Sequence, residues 1–284
     1  MKLKEKPEDF VVKEVLNLDL SGGEYHYYKM TKTNWNTLDV IKQINKQGLK
    51  YVGYAGLKDR NAVTTQYISV KKKINFLIKD VEFEYLGSGK QGIYIGMLEG
   101  NEFIITIRDL DKKLRPVEEM LNIFGEQRFS TKNVLIGKYL IKSNFYTACK
   151  ELGLKYEGND YIGALRKFGV NNLRLYVHAY QSFLWNKVAK KSKKEVLPIL
   201  GYLTESKDYD LIMKKEEITQ KDFMIRSLPE IGSEGGERKR VIDVKDFQVL
   251  DYSDDELNPG KKKQVVNFFL EKGAYATVVI DNLQ

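Results

Sequence analysis

The residues best suited to chemistry lie in one short stretch, where the carboxylate of Asp59 stands between the cations Lys58 and Arg60. An apolar run broken by glycines, residues 51–57, precedes them and predicts a strand, and a second strand-like run follows at 64–70. Glycine weakens a strand but lets a ligand or another backbone approach closely. Because neighbouring cations favour the ionised form of an acid, Asp59 is predicted to be a carboxylate that acts as a nucleophile or a base.

The same stretch also fits a plain turn or a different chemistry. The run Lys-Asp-Arg-Asn at 58–61 suits a polar β-turn, in which Asp and Asn supply ordinary turn chemistry. An unrelated enzyme could instead use Lys58 as a Schiff-base amine, which requires a desolvated amine that is neutral near physiological pH. The adjacent carboxylate of Asp59 works against that chemistry, because an anion stabilises the ammonium form.

Three further segments carry residues that could recognise an unstacked base. They read Pro-Glu-Asp-Phe at 7–10, Asn-Ile-Phe-Gly-Glu-Gln-Arg-Phe at 122–129 and Gly-Ala-Tyr-Ala-Thr at 273–277. An extruded base needs an aromatic face for stacking and an amide that reads its edge, and the middle segment offers both. The alternative for that segment is a helix end stopped by Gly125, with Phe124 as an ordinary core residue.

Together these segments resemble, in type and in order along the chain, the signatures of the tRNA pseudouridine synthase D (TruD) family. The family's Gly-x-Lys-Asp stretch followed by Ala-x-Thr-x-Gln falls on Gly56, Lys58, Asp59, Ala62, Thr64 and Gln66. Two positions depart from the family pattern. Ser130 stands where a glycine is expected, and Tyr275 stands where the family often has Phe.

The resemblance implies that the chain isomerises a uridine in tRNA, most often at position 13, to pseudouridine. Asp59 would assist cleavage of the glycosidic bond of a flipped-out uridine, whose uracil then rotates and bonds to C1′ through C5. No redox centre or phosphate donor enters this reaction, so neither a cofactor nor a metal is expected. The implied substrate-binding residues are Phe10, Asn122, Phe124 and Tyr275. The implied supporting residues are Lys4, a candidate cation near the catalytic carboxylate, with Lys58, Arg60, Gln66, Gln127 and Arg128.

The charge of the chain suits a polyanionic partner. Its 284 residues include 47 Lys and Arg against 39 Asp and Glu, a net charge of +8. Basic side chains bind phosphates by releasing counterions, which fits tRNA and leaves other structured RNA open. Many lysine-rich proteins bind nothing acidic, so charge alone does not establish the partner. A non-catalytic RNA-binding protein or RNA chaperone on the same scaffold therefore stays as the alternative, although it would not need Asp59.

Composition also argues against several classes of protein. One cysteine and two histidines make a disulfide framework or a Cys/His zinc cluster unexpected. No apolar run approaches the ~20 residues that span a bilayer. The first residues lack the apolar core of a signal peptide. We therefore expect a cytoplasmic protein without a membrane partner, and the sequence shows no evident protein partner.

The elements that must position these residues predict an α+β fold. Strand patterns occur at 10–15, 25–32, 93–97, 103–107 and 264–270, and helix patterns at 172–190, from Asn36 or Thr37 with Leu38, Ile41 and Ile44 on one face, and from Pro116 through Leu121. The family resemblance implies a mixed, mainly antiparallel sheet of the pseudouridine synthase type with a helix-rich insertion. It places the catalytic domain at 1–140 plus 247–284 and the inserted TRUD-type domain at 141–246.

Residues 87–92 match the pattern G-x-G-x-x-G, which in many proteins forms a dinucleotide site. That fingerprint must open a helix, whereas the residues that follow it here resemble a strand. The sequence therefore predicts a basic loop at this point and no nucleotide cofactor.

Overall fold

The computed structural model describes residues 1–130 and 132–283. They separate into a sheet unit, residues 1–118 with 243–284, and a helix-rich unit, residues 119–242. The predicted α+β class and the mainly antiparallel sheet are confirmed. Compact units and functional domains are defined differently, so the domain boundaries at 140 and 247 stay a prediction.

The described strands are, in chain order, β1 Phe10–Val15, β2 Tyr25–Thr33, β3 Gly53–Tyr54, β4 Val63–Val70, β5 Val81–Gly89, β6 Gly100–Leu110, β7 Glu119–Leu121, β8 Val196–Ile199, β9 Gly236–Lys239, β10 Val241–Asp243, β11 Lys245–Asp254 and β12 Lys262–Glu271. The described α-helices are α1 Thr37–Lys46, α2 Asn133–Ile141, α3 Phe145–Glu151, α4 Tyr161–Phe168, α5 Val170–Ala189, α6 Asp210–Glu216 and α7 Ala276–Asn282. Among these residues, no helix combines the length and the apolar character that crossing a membrane requires.

The sheet unit is organised by one parallel pair of strands. Its sheet runs in the order β11-β12-β6-β1-β4-β2-β5, with β3 paired to β4. Strands β1 and β4 are parallel, with Val11 opposite Val63, and their other neighbours in the sheet are antiparallel to them. Because parallel strands begin at the same edge of a sheet, the segments that precede β1 and β4 meet there. These segments carry Lys4 and Asp59.

Helix α1 covers one face of the sheet with a core that includes Met30, Ile44 and Ile68. Its buried residues, Thr37, Val40, Ile41 and Ile44, follow the spacing i, i+3, i+4, i+7. Leu38 falls beside that face and is exposed, so its assignment to the buried face was wrong. The helix itself is confirmed.

Two predicted elements are wrong for reasons of tertiary structure. Residues 119–121, assigned to a helix after Pro116, form β7 and pair with β10, which comes from far along the chain. Residues 93–97 form no strand. There the Ile93 N–H donates to the hydroxyl of Ser69 at 2.8 Å, and the side chain packs with Tyr27 and Ala55. The loop predicted at 87–92 was wrong in its first half, because residues 87–89 belong to β5, and no helix follows residue 92.

The helix-rich unit is built around α5, which confirms the helix predicted at 172–190. Helix α2 packs closely on α5 at Gly137, where a Cβ atom would lie 2.1 Å from the carbonyl oxygen of Tyr176. Only glycine permits that approach. Two short pairs of strands, β7 with β10 and the antiparallel pair β8 with β9, complete the described strands of this part of the chain.

Candidate active site

The loop that carries Asp59 is fixed at its base by buried hydrogen bonds within the sheet unit. The Thr37 hydroxyl accepts from the Lys58 N–H at 3.0 Å and donates to Gln66 Oε1 at 2.8 Å. Gln66 Nε2 in turn donates to the carbonyl of Gly56 at 3.2 Å. Thr37 and Gln66 are both buried, so these bonds are shielded from water. The supporting role predicted for Gln66 stays a prediction, and its contacts give that role a physical basis.

Lys58 points into the protein and does not flank the Asp59 carboxylate as the sequence suggests. Its Nζ lies 2.5 Å from Glu14 Oε2, and the two side chains are 5% and 0% exposed. Glu14 Oε1 also accepts from the Tyr67 N–H at 3.1 Å. This buried ion pair makes Lys58 an anchor of the loop and leaves no free amine for a Schiff base. Sequence reasoning missed Glu14. Because side chains alternate along a strand, Glu14 lies on the same face of β1 as Phe10, which indicates an inward-facing acid.

The cation beside the Asp59 carboxylate is Lys4. Lys4 Nζ lies 2.5 Å from Asp59 Oδ2, and the side chain of Asp59 is 47% exposed. The same Nζ lies 4.0 Å from the ring centroid of Phe10, and the Asn61 amide donates to the Lys4 carbonyl at 3.1 Å. Arg60 instead donates through Nε to the carbonyl of Asn34. Among the described residues, no donor bonds Asp59 Oδ1, so that oxygen is available to a substrate.

A second lysine, missed by sequence reasoning, lies beneath the same loop. Lys32 has no exposed surface, and its Nζ donates to the carbonyls of Trp35 at 2.5 Å and of Asp59 at 3.0 Å. Burial lowers the pKa of Lys32 to about 8, the charge of Asp59 opposes that shift, and the charge of Lys58 adds to it. The sequence gives one indication of this burial: Lys32 lies two residues after the buried Met30, so both side chains are on the same face of β2.

A buried ion network holds the segment that begins β1. Arg108 donates to the Asp9 carboxylate through Nε at 2.9 Å and Nη2 at 2.8 Å, and to Asp255 through Nη1 at 2.7 Å. Burial alone would raise the pKa of Asp255, but N–H groups of Asp109 and Leu257, with Asn258 and Arg108, hold it below the ordinary value. The network fixes the residues next to Phe10, which is itself buried and edge-on to Phe103.

The second predicted group lies in the helix-rich unit and forms a cluster of its own. Asn122 Nδ2 donates to the carbonyl of Lys239 at 3.0 Å, and Arg238 Nη2 donates to Asn122 Oδ1 at 2.6 Å. Phe124 is 8% exposed, with the guanidinium carbon of Arg238 4.1 Å from its ring centroid and that of Arg128 5.3 Å away. A base could stack on Phe124 only if one of these guanidinium groups moved, so the base-binding roles of Asn122 and Phe124 stay predictions.

The remaining predicted residues are divided between the two units. Arg128 Nε donates to the Ser182 hydroxyl at 2.8 Å in the helix-rich unit. Tyr275 of the sheet unit is partly exposed and immediately precedes α7. The prediction for Gln127 concerns a side chain that lies outside the described residues. Sequence reasoning missed Asn186 on α5, whose amide bonds both the N–H and the carbonyl of Phe124, each at 2.9 Å.

The acids of the described chain do not form a metal site. Within residues 1–130 and 132–283, no three His, Cys, Asp or Glu side chains are grouped so that they could hold a metal ion. In the sheet unit, the described candidate chemistry therefore rests on the carboxylate of Asp59 and the ammonium groups near it. The arginine–aromatic cluster of the helix-rich unit is a separate group.

Comparison with known proteins relates the whole chain to one family. The family model described as tRNA pseudouridine synthase D (TruD) matches residues 1–156 and 204–283. The Methanocaldococcus jannaschii protein named "Probable tRNA pseudouridine synthase D 2" is 30% identical, over 99% of this chain and 90% of that protein. The tRNA pseudouridine synthase D of Aquifex aeolicus is 29% identical, over 100% of this chain and 98% of that protein.

A solved structure shares the fold. The crystal structure of a Methanosarcina mazei protein, named "Putative tRNA pseudouridine synthase D (TruD)", superimposes with a TM-score of 0.73 at 23% identity and covers 98% of this chain and 92% of that one. The alignment with the Methanocaldococcus protein extends over 385 residues, more than the 284 of this chain. That protein therefore has residues in the aligned region that this chain lacks. The family model leaves residues 157–203 unmatched, which include α4, α5 and β8.

Proposed function

The chain belongs to the tRNA pseudouridine synthase D (TruD) family, and on that premise we propose that it converts a uridine of tRNA to pseudouridine with Asp59 as the catalytic residue. One observation carries the assignment of Asp59. Its carboxylate is half exposed at the edge of the sheet, Oδ2 is held by Lys4, and the loop beneath it is anchored by buried bonds. That combination of an accessible, oriented carboxylate and a rigid support is what nucleophilic or base catalysis requires.

The reaction is an isomerisation that needs no external reagent. The bond between N1 and C1′ breaks, the uracil turns in place, C5 bonds to C1′, and the proton lost from C5 is balanced by a proton gained at N1. Three first steps for Asp59 stay open: attack on the sugar, attack on the base, or removal of a proton from the sugar. In each of them Oδ1 is the oxygen left for the substrate, because Lys4 holds Oδ2. The Lys4 ammonium would also stabilise negative charge on the released uracil.

Further roles belong to the same proposal and are supported by the family resemblance. The target uridine, most often at position 13, would be flipped out of its stack before the reaction. Phe10 and Tyr275 would line the pocket for the base, and Asn122 and Phe124 would read and stack on it. The contacts of Phe124 add a condition to this role: the Arg238 guanidinium, 4.1 Å from the ring centroid, would have to yield to the base.

The substitution Asp59→Asn tests the assignment directly. It keeps the shape of the side chain and removes the charge, so tritium release from tRNA labelled at C5 should disappear while tRNA binding and the melting temperature stay close to wild type. Asp111→Asn is the matched control, because Asp111 is also an exposed acid of the sheet unit paired with a lysine, here Lys261 at 2.6 Å. The control should keep full activity.

The possible results separate the candidate functions. Wild-type tritium release from the Asp59→Asn variant would remove Asp59 from the mechanism and leave its loop as an ordinary polar turn. Wild-type protein that binds tRNA but forms no pseudouridine would favour the non-catalytic RNA-binding alternative. Mapping the pseudouridines of the product at nucleotide resolution tests position 13.

A further inference from the structure

A groove of about 640 Å³ lies in the helix-rich unit between the end of α5 and the segment from Lys207 to Glu216. Five exposed lysines line it, and we name it the lysine groove after them: Lys187, Lys190, Lys191, Lys207 and Lys215. They come from two separate segments of the chain, so the tertiary fold brings them together. Its lining also includes the aliphatic residues Val188, Leu211 and Ile212, of which Leu211 is 87% exposed.

The two acids of the lysine groove form their ion pairs with lysines outside it, although the charge of Lys187 also acts on Glu216. Asp208 Oδ2 pairs with Lys194 Nζ at 2.6 Å, and Glu216 Oε2 pairs with Lys138 Nζ at 2.8 Å. Hydrogen bonds from Lys194 and Ser206, together with the charge of Lys194, lower the pKa of Asp208, so the partners of this acid lie outside the five groove lysines. Within the described residues, none of the five groove lysines takes part in an ion pair. The groove therefore keeps a concentrated positive charge.

Helix stability accounts for only part of this pattern. Lysines near helix C-termini stabilise the helix dipole, which covers Lys187 on α5, Lys190 directly after its last residue, and Lys215 on α6. It does not explain Lys207, which precedes α6, or the exposed Leu211. Gathering five cations in one groove is repulsive, and a bound polyanion relieves that repulsion. Binding therefore explains what helix stability leaves unexplained.

We propose that the lysine groove binds the phosphate backbone of the tRNA substrate. This inference rests on the proposed function, and it places one tRNA contact on the helix-rich unit, whereas Asp59 belongs to the sheet unit. Lysine ammonium groups act as point charges without the fork geometry of arginine, and none of the described residues that line the groove is an aromatic residue able to stack on a base. The groove thus holds the backbone without reading its sequence, and its aliphatic lining residues pack against ribose edges. Its effect falls on affinity and KM, and kcat stays unchanged.

The test compares two sets of charge reversals in the same unit. The groove variant combines Lys190→Glu, Lys207→Glu and Lys215→Glu. The control variant combines Lys150→Glu, Lys167→Glu and Lys221→Glu, which are exposed lysines of the helix-rich unit outside the groove. Both change the net charge equally, so diffuse attraction of tRNA is matched. The dissociation constant for an unmodified tRNA transcript is measured over a range of salt concentrations, and kcat and KM are measured by tritium release.

We expect the groove variant to bind tRNA at least about tenfold more weakly at low salt, with a smaller salt dependence. Each lost phosphate contact removes about 0.7–0.9 from the slope of log K against log salt, so three contacts remove about 2–3. The control variant should stay near wild type. If the glutamates prevent folding, the corresponding three Gln substitutions serve the same purpose and should lower the slope in the same direction.

Equal weakening in both variants would show diffuse attraction and overturn the proposal. So would wild-type tRNA binding by the groove variant, which is also the result expected if an acidic protein occupied the groove. Failure of the proposed function would look different: wild-type protein would form no pseudouridine, whatever the groove variant binds.

Discussion

Replacing Lys32 by methionine is expected to change how the stability of the sheet unit depends on pH. Methionine has nearly the length of lysine and carries no charge, so it fills the same buried space. The substitution removes the ammonium whose Nζ donates to the carbonyls of Trp35 and Asp59. Loss of those two hydrogen bonds costs about 1–3 kcal/mol each where water does not replace the donor, and that cost is independent of pH.

The pH-dependent part follows from the pKa of Lys32. The ordinary value is 10.5, and burial lowers it to about 8 in the folded protein. Each pKa unit corresponds to about 1.4 kcal/mol, so the folded protein holds this proton about 3 kcal/mol less tightly than the unfolded chain. The penalty is present in full below pH 8. Between pH 8 and 10.5 the unfolded chain binds more protons than the folded protein, so the stability of the wild type rises relative to Lys32→Met.

The assay is urea unfolding at pH 7, 8, 9 and 10, followed by the fluorescence of Trp35. Trp35 and Trp185 are the two tryptophans of the chain, so a Trp185→Phe background makes the signal specific for the sheet unit. Groups that titrate in both proteins cancel in the difference between wild type and variant. Lys29→Met is the control on the same strand, because Lys29 is partly exposed and its hydrogen bond with Glu84 raises its pKa. Its difference from wild type should stay flat up to pH 10.

Parallel stability curves for wild type and Lys32→Met between pH 7 and 10 would refute this reasoning, because they would mean that burial does not destabilise the ammonium. The same variant also reports on catalysis. Without the donor to the Asp59 carbonyl, the rate of pseudouridine formation at saturating tRNA should fall while tRNA affinity stays unchanged.

Two further predictions concern the buried anchor of the Asp59 loop and the proposed stacking residue Phe124. Glu14→Gln leaves the Lys58 ammonium buried without its counterion and should lower the free energy of unfolding by about 3–5 kcal/mol. Adding Lys58→Met should restore most of that stability. Unfolding in urea measures both variants, and unchanged stability of the single variant would contradict the anchor role. Phe124→Ala should lose about 1–3 kcal/mol of base stacking as well as core packing against Trp185, and Phe124→Tyr should have a smaller effect. Single-turnover rates report the loss of stacking, and thermal melts report the loss of packing. Wild-type turnover by the alanine variant would make Phe124 a core residue only.

Strong local patterns were the ones that predicted structure correctly. The strand-like runs predicted β1, β2, β4, β6 and β12, and the long amphipathic stretch at 172–190 predicted α5. The errors came where distant residues decide the conformation. Glu119–Leu121 is a strand because β10 pairs with it, and residues 93–97 are irregular because the Ile93 N–H bonds to a side chain. A propensity calculated over a short window does not contain such partners.

The sequence by itself determined the family, the α+β class and the identity of the residues around Asp59, because a signature with fixed spacing is written in the order of the chain. The family resemblance implied Lys4 as a cation near the carboxylate, and only the tertiary structure decided where the other charges of those residues lie. Lys58 is adjacent to Asp59 in the chain but turns inward to Glu14, whereas Lys4, distant in the chain, holds the carboxylate. The physical reason is the parallel pairing of β1 with β4, which brings the two preceding segments to one edge of the sheet, while burial selects which ammonium has to find an internal counterion.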